Sequence, residues 1–209
     1  MKTFIQVLFV QFIIFLSTPS WSEDYTIGDI RKRNGLYYLK SSSVPFTGKI
    51  SGRYLGTFEM GKKNGEWIGY WENGKLKEKE YYTKGKLDGE VIKFYENGQL
   101  RYRVRWVNDI KEGLWVSYYK NGQLERKGNY KGGSLDGLWL SYHDNGLLEY
   151  NENYKDRQKE GLWKKYYNNG QLEMKGYYVN GKLDGLWEYF NENGSLENTV
   201  TYKDGVKID

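Results

Sequence analysis

Cysteine is absent from this 209-residue chain, histidine occurs once, proline twice and methionine three times. Without cysteine there are no disulfides, no thiol catalysis, no cysteine-based metal site and no lipid-modified cysteine. A lone histidine leaves a structural zinc ion only a carboxylate-dominated shell, a poor match to its preferred ligands. Beyond the N-terminus, no stretch approaches the roughly 20 apolar residues that a spanning helix needs. Long basic runs are missing too, because 32 Lys and Arg are interleaved with 27 Asp and Glu. That texture describes a solvated mixed-charge surface and argues against a nucleic-acid partner.

Glycine and aromatic residues are plentiful: 26 Gly, 21 Tyr, 8 Trp and 8 Phe. Glycine punctuates, and aromatics prefer strands, so the composition points away from helix. From Gly65 onward the chain repeats every 24 residues without insertion or deletion. Glycine falls at 65, 89, 113, 137, 161 and 185, and Asn-Gly begins at 73, 97, 121, 145, 169 and 193. A fixed period of this length means stacked copies of one supersecondary unit. Such an array works as a surface, so a single catalytic pocket is not the first expectation.

Residues 1–22 stand outside the repeat. Lys2 forms a short positive region, Phe4 to Leu16 is mostly apolar, and Ser17 to Ser22 ends in small residues around Trp21. This is the layout of a secretory signal peptide, with cleavage expected after Ser22. Its removal takes one lysine and lowers the formal net charge from +5 to +4. The chain is therefore expected in the periplasm or outside the cell. The alternative is membrane anchoring by an uncleaved N-terminal segment.

The copy at 113–136 shows the unit. Leu114 to Tyr119 reads as a strand, Asn121-Gly122 as a two-residue hairpin turn, and Gln123 to Tyr130 as the return strand. Lys131 to Asp136 reads as the longer turn to the next copy. With that turn, Tyr119 faces Leu124, Ser117 faces Arg126 and Trp115 faces Gly128, the indole covering the glycine. A bulged three-residue turn would shift the parity. Trp115, Tyr119, Leu124 and Tyr130 then form an apolar patch on one face, and Tyr118 starts an aromatic column on the other. The fold class is all-β: an elongated antiparallel meander of 24-residue hairpins in a single twisted sheet. Each hairpin is marginal alone, so stability comes from neighbours.

A 48-residue beat overlies the first: Leu87, Lys111, Leu135, Lys159, Leu183, Lys207. Copies duplicated in pairs, or alternating geometry, would each produce it. Residues 23–64 read as an atypical capping segment with degenerate repeats, and 65–209 as six full ones. Asn34 to Tyr38 is a degenerate strand, and Pro45 to Ile50 opens a shortened unit. At the C-terminus Lys203, Asp204 and Lys207 place charge on an edge strand.

The pattern Gly-Leu-Trp-x-x-Tyr-Tyr-x-Asn-Gly-Gln-Leu occurs at Gly113–Leu124 and, with Lys164-Lys165 before Tyr166, at Gly161–Leu172. Gly181-Lys182-Leu183-Asp184-Gly185 supplies the second half of the motif. Together they resemble the MORN-repeat variant family of bacteria over roughly residues 34–205. The resemblance implies an elongated twisted sheet of hairpins. Some family members carry a YwqK-like antitoxin label, which implies protein binding and toxin neutralisation. Classical MORN arrays are associated with membrane attachment, scaffolding and self-association. An N-terminal export signal departs from a cytosolic antitoxin.

No copy offers a catalytic constellation, so the chain is read as a non-enzyme with no cofactor and no metal. His143 stands where other copies carry Trp, Tyr or Asn, and reads as drift of an aromatic position. Asp88, Glu112, Asp136, Glu160 and Asp184 precede the repeat glycine. They read as caps on turn amides, against the alternatives of calcium ligands or acid pairs. Exposed aromatics anchor protein interfaces and stack on sugars. The candidate interaction surface is Trp115, Trp139, Trp163, Trp187, Tyr119 and Tyr167. The expected partner is another protein, with an envelope glycan or lipid surface as the alternative and self-association open.

Overall fold

The computed structural model describes residues 24–208. The expected signal peptide and the anchor alternative lie outside the described residues. Eighteen strands form one sheet and two form a separate hairpin. From Gly48 onward, pairing follows chain order and is antiparallel throughout. At strand spacings of about 4.8 Å the sheet runs roughly 70 Å across its strands, against about 30 Å along them. It is an elongated meander.

The hairpin unit matches the repeat, but its two turns exchange roles. Trp115 pairs with Gly128 and Ser117 with Arg126, and the register then shifts so that Tyr118, not Tyr119, pairs with Leu124. The Asn-Gly turn is the longer one. Gly122 N–H donates to Tyr119 O at 2.9 Å and Tyr119 N–H to Gln123 O at 2.8 Å. Of Asn121 and Gly122, only Gly122 has positive φ, at +89°. A four-residue turn followed by a left-handed glycine is the bulged hairpin. The tight turns lie between copies. At Gly132-Gly133 the φ values are +55° and +79°, and Lys131 pairs with Ser134 across the two-residue loop. Asn108-Asp109, Asp156-Arg157 and Asn180-Gly181 repeat this double positive φ. That is the two-residue turn whose twist matches the strands.

Asparagine has a second duty in the longer turn. Asn121 Oδ1 accepts from Gln123 N–H at 2.9 Å, and its Nδ2 donates to Asp144 O in the next copy at 2.8 Å. Asn73, Asn97, Asn145 and Asn169 do the same at 2.7–2.9 Å for the inter-copy bond. A row of side-chain amides thus staples neighbouring hairpins together.

The repeat glycine is a bulge residue. Gly65, Gly113, Gly137, Gly161 and Gly185 have φ between +66° and +83°. Opposite Gly137, the ladder skips between Lys127 and Asn129, which leaves Gly128 facing the bulge. Trp139 fills that space: a Cβ on Gly128 would lie 2.2 Å from the indole. The expected cover, Trp115, is displaced by this arrangement. The covering ring comes from the next copy's strand. Trp67 over Gly56 and Trp187 over Gly176 are equivalent.

The N-terminal segment closes one end of the sheet. Tyr25–Thr26 pairs parallel with Gly48–Ser51, and Ile30–Arg33 pairs with Leu36–Leu39 across Asn34-Gly35. Phe46, Ile50, Phe58 and Trp67 form a buried cluster under Tyr25, Ile30, Tyr37 and Leu39. The degenerate strand read at Asn34–Tyr38 is the return arm of this hairpin. At the other end, Val206–Lys207 covers only Tyr202 and Lys203, and Lys203 pairs with Asp184 at 3.0 Å.

Candidate functional site

The two faces of the sheet differ in chemistry. One carries the tryptophan column and is called the tryptophan face below; the other is the leucine face. Among the residues singled out from sequence, Trp139, Trp163 and Trp187 are 1%, 7% and 2% exposed. Burial removes them from any open surface and makes them the core of the sheet. Each buried ring withdraws about 150–250 Å², a transfer free energy of roughly 4–6 kcal/mol. Trp115 is the half-buried exception. The residue beside it at the glycine position is Val104, with which it pairs. Its ring cannot lie flat there, and it stacks on Tyr102 at 4.9 Å and 17° instead.

Tyr119 and Tyr167 are joined to the frame. Tyr119 Oη donates to Tyr142 O at 2.7 Å and Tyr167 Oη to Phe190 O at 2.8 Å. Tyr95 makes the same bond to Tyr118 O at 2.9 Å. His143 stands in this column, and its Nε2 is 2.9 Å from Tyr166 O. A carbonyl only accepts, so Nε2 carries the proton, and the histidine replaces a tyrosine hydroxyl. Trp71 holds the first position, where its buried Nε1 finds no acceptor among the described residues.

A buried glutamate, Glu152, and a partly buried one, Glu80, carry the strongest electrostatics of the tryptophan face. Glu152, 7% exposed, accepts from Lys159 Nζ at 2.8 Å, Trp163 Nε1 at 3.1 Å and Tyr154 Oη at 3.4 Å. Burial pushes its carboxyl upward, but the bonds from Lys159 and Trp163 and the charges of Lys159 and Arg126 outweigh it, holding the group below the usual range. Glu80 is the counterpart. It accepts from Tyr82 Oη at 2.6 Å, binds Lys93 closely and lies 3.8 Å from Lys63. Burial raises it, and the Lys93 and Tyr82 bonds bring it below the normal value. Burial, then the Glu80 bond, drives the Tyr82 phenol well above its ordinary value. These charged groups are saturated by one another.

The 48-residue beat acquires a meaning here. Lys63, Lys111 and Lys159 each set an ammonium over the tryptophan four residues on, at 4.2, 4.5 and 5.3 Å from a ring centroid. Leucine occupies the intervening copies. Around Trp115 the face opens into a niche of about 300 Å³ lined by Tyr102, Trp115, Ser117, Arg126, Tyr130 and Trp139, with Arg101 and Glu125. The guanidinium of Arg126 lies 5.0 Å over Trp139.

The leucine face is open. Leu114, Leu138, Leu162 and Leu186 are 54%, 52%, 38% and 51% exposed, and Tyr177 beside Leu162 is 53% exposed. In the first two copies Glu66 and Glu90 hold this position. The stripe therefore covers copies three to six and spans roughly 30 Å at about 10 Å per hairpin. Sequence reasoning placed the candidate surface on tryptophan because aromatics are the usual anchors. The signal for leucine was its position directly after the repeat glycine, opposite in pleat to tryptophan.

Of the carboxylates before the repeat glycine, Glu112 accepts from Gly132 N–H and Glu160 from Asn180 N–H, both at 2.8 Å. Asp184 accepts from Lys203 Nζ at 3.0 Å. Glu112 and Glu160 thus cap turn amides, as the spacing suggested, whereas Asp184 chiefly pairs with an ammonium and reaches Asp204 N–H only at 3.5 Å. Among the described residues, no three His, Asp or Glu side chains converge to hold a metal ion.

A family model described as MORN repeat variant matches residues 63–84, 87–108, 111–131, 135–156, 159–180 and 183–204. Each match begins after one tight turn and ends in or just before the next, with the Asn-Gly turn at its centre. No curated protein matches the chain.

Proposed function

The chain belongs to the MORN repeat variant family, and from that premise we propose that it is an exported, non-enzymatic binding module whose leucine face engages another protein. The observation that carries the reading is the row of half-exposed leucines at 114, 138, 162 and 186. A row of exposed leucines interleaved with Asn129, Asn153 and Tyr177 on a hairpin-stapled sheet suits a protein interface of mixed apolar and polar character. Export rests on residues 1–22, and scaffolding or immunity-like neutralisation are forms such binding takes. The test is a pull-down from an envelope extract with the purified chain as bait, beside a Leu138→Ser, Leu162→Ser variant. Together the two changes remove about 2 kcal/mol of apolar burial, roughly thirtyfold in Kd. A saturable partner lost in the variant supports the reading. No partner, or undiminished capture by the variant, counts against it. Recovery of the chain itself assigns the face to self-association.

A second reading, binding of an envelope glycan, is favoured by one feature. The Tyr102–Trp115 stack is the part of the tryptophan column that reaches solvent, and it stands in a niche with charged walls. Co-sedimentation of the chain with peptidoglycan or polysaccharide, weakened by Trp115→Ala, is the expected result. Equal sedimentation of that variant, with circular dichroism intact, removes this reading.

A further inference from the structure

Charge is balanced unevenly along the tryptophan face. Lys63 and Lys159 each rest on an indole and each has a carboxylate, Glu80 at 3.8 Å and Glu152 at 2.8 Å. These carboxylates occupy the strand position beside the tryptophan, on one side or the other: Glu80 pairs with Trp67, and Glu152 reaches Trp163 Nε1. The corresponding positions around Trp115 are Gly128 and Val104, which pair with it from either side. Neither has a carboxylate to offer. Lys111 thus lies over Trp115 at 4.5 Å and Tyr130 at 4.8 Å with its usual counter-charge replaced by apolar groups.

The niche opens at the same place. Its floor, Ser117, is 7% exposed. Lys93, Lys165 and Tyr189 fill that position in three other copies. One wall is the Tyr102–Trp115 stack. Another is Arg126, which among the described residues meets a carboxylate, Glu152, at the long distance of 3.5 Å and whose buried Nε has no acceptor among them. Arg101 and Glu125, also at the niche, carry opposite charges, so Arg126 leaves the lining cationic, and Lys111 stands beside it over Trp115 and Tyr130.

We infer that this niche binds an acidic saccharide: one pyranose ring packed beside the Tyr102–Trp115 pair, with its carboxylate directed to Arg126 and to Lys111 at the niche's edge. The inference rests on the glycan reading above and names its ligand class. The ligand's carboxylate takes the role that Glu80 and Glu152 play in other copies. Its ring hydroxyls meet Ser117 and the phenols of Tyr102 and Tyr130, a polar rim that a purely aromatic ligand would leave unused. A volume of about 300 Å³ suits one ring and part of its neighbour. A carboxylate bonded to guanidinium and ammonium gains charge-assisted hydrogen bonds, which gives preference over a neutral sugar.

The test is calorimetric titration of the full chain with trigalacturonic acid and, in parallel, with the neutral galactose trisaccharide. The acidic sugar should bind with a Kd near 1 mM, roughly, and the neutral one at least about tenfold more weakly. Arg126→Gln and Lys111→Gln should each weaken the acidic sugar by about tenfold and so narrow its margin over the neutral one. Ser117→Tyr, which installs the side chain of Tyr189 at its equivalent position, should abolish both. Arg126→Gln, at a side chain 41% exposed, keeps the test valid if the Ser117 variant misfolds. Equal binding of the two sugars, lost on Ser117→Tyr, overturns the acidic ligand and leaves the glycan reading standing. Binding of neither overturns both, as does binding that Ser117→Tyr and Arg126→Gln leave unchanged.

Discussion

Replacing Gly128 with alanine should destabilise the sheet far more than one methyl group suggests. The new Cβ would lie 2.2, 2.4 and 2.6 Å from Cδ2, Cε2 and Cγ of Trp139. Carbon atoms rest at about 3.5–4.0 Å, so the indole must retreat by more than about 1 Å. It has nowhere to go. Trp139 is 1% exposed, with Tyr130 edge-on at 5.2 Å and Arg126 over its face at 5.0 Å. The expected cost is about 3 kcal/mol, the upper end for overpacking. Urea unfolding followed by circular dichroism measures it. Gly132→Ala is the control, because no atom lies within 4 Å of its added Cβ and only φ +55° opposes it. That conformation costs about 1 kcal/mol. A Trp139→Val background, copying Val91 two copies earlier in the column, should erase most of the Gly128→Ala penalty. The resulting coupling is about 2 kcal/mol. If Gly128→Ala costs no more than Gly132→Ala, or adds simply to Trp139→Val, the tryptophan-over-glycine packing is refuted.

Other consequences are measurable in the same way. Glu152→Ala strands Lys159 and Trp163 Nε1 and should cost about 3 kcal/mol, the low end for a broken buried pair because Lys159 is 31% exposed. Glu80 and Glu152 have folded-state pKa values held below the ordinary glutamate value of about 4.3. Their stabilisation is therefore present above that pH and lost as pH falls through the lower folded values, so acid should lower the urea midpoint, and less so in Glu152→Gln. His143→Tyr should be neutral, whereas His143→Phe leaves Tyr166 O without its donor and should cost about 1 kcal/mol by the same unfolding assay. Asn121→Ala loses both its turn bond and its staple to Asp144 O, for about 1–2 kcal/mol in urea unfolding.

Much of the hairpin was legible because the repeat states it six times. The Trp115–Gly128 and Ser117–Arg126 pairs follow from strand parity alone, and they survive because the bulge falls beyond Ser117. The turns were exchanged for a physical reason. Asn-Gly tolerates positive φ at both residues, which suits a two-residue loop, but here the asparagine side chain is committed to its staple and only the glycine turns left-handed. Asn108-Asp109 and Asp156-Arg157 take the tight turns without a glycine, and nothing in their local composition announces it. The partner of Gly128 was missed because the covering ring lies one hairpin further on. The niche was invisible for a deeper reason. It depends on where copies differ, at Val104, Ser117 and Gly128, whereas periodicity reports where they agree.

The leucine face, not the tryptophan column, is the surface proposed to meet a protein partner. Photo-crosslinking tests it most directly, with a photoreactive phenylalanine analogue placed singly at Leu138, Leu162 or Tyr102 in the full chain. Crosslinks to one protein from Leu138 and Leu162, with none from Tyr102, are the predicted result. Crosslinks to that protein from Tyr102 alone, or equally from both faces, would contradict it.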